Sequence, residues 1–114
     1  METKRGDILL VNFEPAKGSE QGKIRPAIVV QSDLLNKYSP LTIVAPVTSK
    51  IYDKEYPTNV FITKEDSGLE KDSTILLNQI RTVDKRRIIK KLSTLDKYSM
   101  SRVDFCLKIC LDLN

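Results

Sequence analysis

Asp-Ile-Leu-Leu-Val-Asn-Phe, residues 7–13, sets Ile8, Leu9, Leu10, Val11 and Phe13 in an almost unbroken apolar run. A surface helix would leave part of such a run in water, whereas a strand covered on both sides buries both alternating sets. The stretch reads as a buried strand. Working outward, the polar residues 14–25 carry the breakers Pro15, Gly18 and Gly22 and lead into residues 26–31, where Ala27, Ile28, Val29 and Val30 read as a second core strand. Residues 41–47 form a third apolar, β-branched run. Residues 59–63 and 74–77 are further strand candidates, and 80–83 continue the last after a break at Asn78 and Gln79. A turn of helix is expected over 32–38, capped by Ser32 or Asp33, and a charged loop holding Gly68 over 64–73. Asp96 is placed to N-cap a helix over 97–111, in which Met100, Val103, Leu107, Cys110 and Leu111 recur at three- and four-residue steps. Many short strands, few helices and no β-α-β alternation predict a mainly β protein with short helices, built as a small bent antiparallel sheet or barrel closed by a C-terminal helix.

At 114 residues the chain has the usual size of one domain, expected to span 1–114 and to need no disulfide or structural metal. No apolar stretch approaches the roughly 20 residues of a membrane span, and the start lacks the pattern of a signal peptide, so a cytoplasmic location is expected. Cys106 and Cys110 lie four apart on the helix face of Val103 and Leu107 and read as buried free thiols. A metal site is not expected, since no His or third Cys exists to complete one. The net charge of +4 is compatible with a polyanionic partner, but the basic residues are spread along the chain. The one dense run, Lys85, Arg86 and Arg87 followed by Lys90 and Lys91, fits either a phosphate-facing patch or a solvated face.

The absence of histidine excludes every triad or paired-histidine mechanism, because His is the side chain whose unperturbed pKa suits proton exchange near neutrality. Chemistry must come from carboxylates, hydroxyls, Arg, Lys, Tyr or bound ions. Three segments offer it. Pro26 holds Arg25 in an extended backbone and launches its guanidinium, a planar fork matched to phosphate oxygens, from a fixed rim. An ordinary ion pair with Glu20 is the competing reading. Pro46 suggests that the third strand bends or loses a partner, which would re-aim Thr48, although a Thr after a strand end is commonly only a turn residue. In residues 77–84, Gln79 and Arg81 are expected to share one face of a strand, either reading bases or forming a polar outer face. Tyr52 and Tyr56 fit two roles, stacking on unpaired bases or capping the core.

The segments RGDILLVNF at 5–13, GSEQGKIRPAIVVQSD at 18–33, APVTS at 45–49 and LLNQIRTVDKRRI at 76–88 stand in the order and spacing of the MazF/PemK family, which the chain resembles over nearly its whole length. That resemblance implies a small SH3-like bent antiparallel barrel of the CcdB/MazF type, a homodimer, and metal-independent cleavage of single-stranded RNA at short sequences without a cofactor. The implied products are a 2′,3′-cyclic phosphate and a 5′-hydroxyl. It puts the catalytic arginine on Arg25 and the catalytic threonine on Thr48, with Glu20 as a candidate base. It puts RNA contacts on Ser19, Glu20, Gln21, Thr48, Ser49, Gln79 and Arg81. A cognate MazE-like antitoxin is the implied protein partner. Relatives often carry an acidic residue where this chain has Asn78, a departure that bears on base preference. A reading of another class stands beside it, a non-catalytic toxin like CcdB, which acts on DNA gyrase, or an RNA- or protein-binding module on the same scaffold.

Overall fold

The computed structural model describes residues 2–14, 18 and 23–114. Among them the elements run β1 (Asp7–Asn12), β2 (Ile24–Val29), α1 (Asp33–Tyr38), β3 (Leu41–Thr48), β4 (Asn59–Ile62), α2 (Lys64–Ser67), β5 (Ser73–Leu76), β6 (Arg81–Asp84), β7 (Ile88–Thr94) and α3 (Lys97–Cys110), with 3-10 turns at Leu77–Gln79 and Lys85–Arg87. All strand pairs are antiparallel, in the order β4-β5-β3-β2-β1-β7, with β6 also on β3.

The bend originates in β3. One of its edges pairs with β2, while the other is shared: residues Leu41, Thr42, Ile43 and Val44 pair with β6, and Val47 and Thr48 pair with β5. The change of partner falls at Ala45 and Pro46, where a residue without an N–H loses least. β4 and β7 end the path, so the sheet curls into a bent barrel without closing, and α3 packs over β4 and the Leu77–Gln79 turn.

Across β1, β2 and β3 apolar side chains are buried on both faces. Ile8, Ile28, Ala45, Val47, Ile75 and Leu77 meet Val103 and Cys106 of α3 on one side. Leu9, Val11, Phe13, Ala27, Val29, Val44 and Val83 form the second layer. This is why β1 and β2 are apolar at successive positions; each large side chain so buried contributes about 1.5–3 kcal/mol. Asp7, buried at the start of β1, accepts from the Lys4 amide at 3.0 Å and the Thr94 hydroxyl at 3.4 Å, and pairs with Lys91 at 3.2 Å.

The caps follow local chemistry. Ser32 Oγ accepts from the Leu34 amide at 3.2 Å and Asp96 Oδ2 from the Ser99 amide at 3.2 Å. Cys106 is buried and Cys110 half-buried, both as free thiols. Burial, with Cys110 alongside, pushes the Cys106 thiol up to about 12, so it stays protonated and unreactive near neutrality.

Three readings of the sequence need correction, and one element was not foreseen. Strand β7 is an element that no reading of the sequence anticipated: Lys90 and Lys91 are exposed on this outer strand, Lys91 reaching Asp7, while Ile88 and Leu92 turn inward. Exposed lysines are a usual protection for such an edge. Part of the loop at 64–73 is a short helix, capped by Thr63 and ended by Gly68 at φ 73°. Gln79 lies on the Leu77–Gln79 3-10 turn, so it does not alternate with Arg81 along one strand. Leu111 follows α3 and is exposed, and Cys106 takes its place in the apolar stripe.

Candidate active site

Arg25 is the second residue of β2 and half-buried, its backbone opposite Val11 of β1. Thr48 ends β3, half-buried, opposite Thr74 of β5. The β2–β3 ladder pairs Val29 with Val44, Ile28 with Ala45 and Ala27 with Pro46. Continued two residues in the same register, that ladder would bring Arg25 opposite Thr48. Residues directly opposite in an antiparallel pair point to the same face. That face is the one on which Val11, Ala27 and Val44 form the second apolar layer. Arginine and threonine thus stand at the rim of a buried layer, where the paired strands run out.

The end of β3 is held by its own turn. The Lys50 amide donates to Thr48 Oγ1 at 3.2 Å, and Thr74 Oγ1 donates to the Lys50 carbonyl at 2.9 Å. A half-buried hydroxyl whose lone pair is already occupied retains its hydrogen for an acceptor in front of it. Ser49, within that turn, is exposed. Lys50 Nζ lies 4.8 Å from the centroid of the Tyr52 ring, which meets Tyr56 edge-on at 6.0 Å. The tyrosines therefore pack on each other beside the site.

Arg81 starts β6 opposite Val44 and is half-buried. Its guanidinium carbon lies 5.5 Å from the centroid of the Phe13 ring, and Nη1 donates to the Phe13 carbonyl at 3.5 Å. The Phe13 amide in turn donates to the Lys23 carbonyl at 2.8 Å. Arg81 is thereby drawn to the end of β1, beside the start of β2. Gln79 is half-buried on the preceding turn. Ser19, Glu20 and Gln21 lie outside the described residues. Lys23, just before β2, has φ 65°, a left-handed backbone that a lysine seldom adopts and that no local sequence signal announces. Among the described residues, no three or more His, Cys, Asp or Glu side chains converge as a metal-binding group. None of their helices is long and apolar enough to cross a membrane.

Comparison with known proteins is decisive for the family. Residues 4–111 match the model of the PemK-like, MazF-like toxin of type II toxin-antitoxin systems. The chain is a member of the PemK/MazF toxin family. It is 49% identical over 111 residues to Endoribonuclease MazF of Staphylococcus epidermidis, covering 97% of this chain and 92% of that protein. Among solved structures, MazF of Deinococcus radiodurans superposes with a TM-score of 0.84 at 28% identity, over 99% of both chains. A MazE-MazF structure from the same organism gives 0.79 at 26% identity, over the full length of both. The bent sheet with its C-terminal helix is therefore the MazF fold.

Sequence reasoning missed Phe13 as an anchor of the site and Arg87 as its neighbour. The signal for Phe13 was available, since a large aromatic ends the apolar run just where the polar segment begins. Arg87 was hidden inside a run of cations that read as a single block.

Proposed function

We propose that this MazF-family endoribonuclease toxin cuts single-stranded RNA at the rim where Arg25 and Thr48 meet, using the 2′-hydroxyl of the RNA as nucleophile. The observation that supports the reading is the β2–β3 register, with Ala27 opposite Pro46, whose continuation by two residues would align an obligate cation with a hydroxyl on one face. Attack by the 2′-oxygen on the adjacent phosphorus forms a phosphorane with extra negative charge, and departure of the 5′-oxygen leaves a 2′,3′-cyclic phosphate and a 5′-hydroxyl. Arg25 stabilises the charge as it builds and Thr48 donates to a phosphate oxygen, an arrangement of fixed donors that needs no reorganisation during the reaction. An arginine, with pKa above about 12, is poorly matched to proton transfer near neutrality, so its work is electrostatic. Glu20 is the proposed base for the 2′-hydroxyl, and Ser19, Gln21, Ser49, Gln79 and Arg81 are proposed to hold the strand.

Because the RNA supplies its own nucleophile and the protein supplies the counter-charge, the scheme asks nothing of a metal. Incubation with a long unstructured RNA in EDTA is expected to give discrete fragments with 5′-hydroxyl ends at an undiminished rate. Loss of cleavage on chelation, restored by Mg²⁺, would require a metal-assisted route through carboxylates instead. A CcdB-like toxin without turnover would leave the RNA intact.

The partners follow. Phe105 (68% exposed), Ile109, Phe61 and Ile51 border a cavity of about 720 Å³ between α3, β4 and residues 51–57. So much exposed apolar surface on a small chain fits a second copy. Phe105→Glu should convert a sedimenting dimer into monomer; a wild type that is already monomeric at micromolar concentration would remove the dimer. A MazE-like antitoxin with an acidic segment would occupy the basic RNA-binding rim, and adding it should suppress cleavage in the same assay. The cytoplasm, where RNA and antitoxin are both present, is the proposed site of action.

A further inference from the structure

The end of β1 is held by two guanidinium groups that arrive from far along the chain. Arg87, half-buried in the Lys85–Arg87 turn, donates from Nη1 to the Asn12 carbonyl at 3.2 Å and to the Glu14 carbonyl. One Nη nitrogen carries two hydrogens, so a single atom serves both acceptors. Between them, Arg81 lies on the Phe13 ring and donates to the Phe13 carbonyl. Three successive carbonyls are thus taken up by two arginines. The Glu14 amide closes the group by donating to Asn12 Oδ1 at 3.0 Å. Arg86 behaves differently: its side chain is 90% exposed and its donors go to Asp84, at 3.1 and 3.0 Å.

The held segment is the partner of the site. Asn12 pairs with Ile24 and Val11 with Arg25, and the Phe13 amide donates to Lys23. We propose that Arg87 is a positioning residue for RNA cleavage: by tying the carbonyls of Asn12 and Glu14 it holds the end of β1 against which the start of β2, and with it Arg25, is registered. This rests on the ribonuclease reading above. A backbone left to drift by about 1 Å costs turnover steeply, since the phosphorane is stabilised only by donors already in place. An arginine that instead gripped an RNA phosphate would act on KM and on the salt dependence of binding.

The test compares wild type, Arg87→Ala, Arg87→Lys and Arg86→Ala. It measures cleavage of an unstructured RNA over a range of salt, and amide hydrogen exchange at residues 12–14 and 23–25 without RNA. Arg87→Ala should lower kcat roughly tenfold or more, with KM and its salt dependence unchanged and faster exchange at the Phe13 amide. Arg87→Lys should recover part of both, and Arg86→Ala, which removes the same charge, should match wild type. Unchanged kcat in Arg87→Ala, or a loss confined to KM with a shallower salt dependence, would overturn the proposal. If the alanine variant does not fold, Arg87→Lys decides, since wild-type turnover and exchange in that variant would also overturn it. A wild type that fails to cut RNA would sink the nuclease reading alone, and the exchange data would still decide whether Arg87 clamps β1.

Discussion

Replacing Arg25 by alanine is expected to cut the rate of RNA cleavage by roughly a hundredfold or more, the cost of losing one preorganised donor to a developing oxyanion. The fold should survive, because the pairing of Arg25 with Val11 uses the backbone and the side chain is only half-buried. Arg25→Lys should fall between the two: the charge persists, but the planar fork that grips two phosphate oxygens does not. Single-turnover rates at saturating RNA, with circular dichroism as a check on folding, measure this directly. Cleavage by Arg25→Ala at the wild-type rate would remove the guanidinium from the reaction and leave Thr48 without the partner that its register implies.

The largest effect on stability is expected at Phe13. Its side chain is fully buried in the layer formed with Val11, Ala27, Val44 and Val83, and Arg81 lies over its ring. Phe13→Ala should cost about 3–5 kcal/mol through lost burial and the cavity left behind. A further amount of about 0.5–2 kcal/mol is expected from the lost contact between guanidinium and ring. Against a usual total of about 5–15 kcal/mol this endangers folding. Phe13→Leu, which fills most of the volume but offers no aromatic face, should cost far less and isolate the cation–π part. Urea unfolding midpoints distinguish the two variants. A loss below about 1 kcal/mol for the alanine variant would show that the neighbours collapse into the space and that Phe13 anchors nothing.

Much of the architecture was legible because its causes are local. The apolar runs at 7–13, 26–31 and 41–47 became β1, β2 and β3, and Asp96 capped α3, since burial pattern and capping act over a few residues. Pro46 marked the place where β3 changes partner, as a residue without an N–H should. Strand β7 was not legible. Its side chains alternate poorly, and Lys90 and Lys91 belong to a strand only because β1 offers an unpaired edge at that position. The helical turn at Lys64–Ser67 was masked by its charge, which a cap at Thr63 and a left-handed Gly68 outweigh.

The same division runs through the site. That Arg25 leaves the chain from an extended backbone follows from Pro26 alone, and that no imidazole takes part follows from composition. By itself, then, the sequence determined which residue types are available, where the buried strands lie and how Arg25 is launched. Only the tertiary structure decided that Ala27 pairs with Pro46, a register that runs toward Arg25 and Thr48, that Arg81 folds back on Phe13, and that Arg87 and Arg86, adjacent in sequence, bond to opposite things. The physical reason is that periodicity and capping are settled within a turn or a strand. Which edges pair, and in what register, is settled by the burial of distant side chains together.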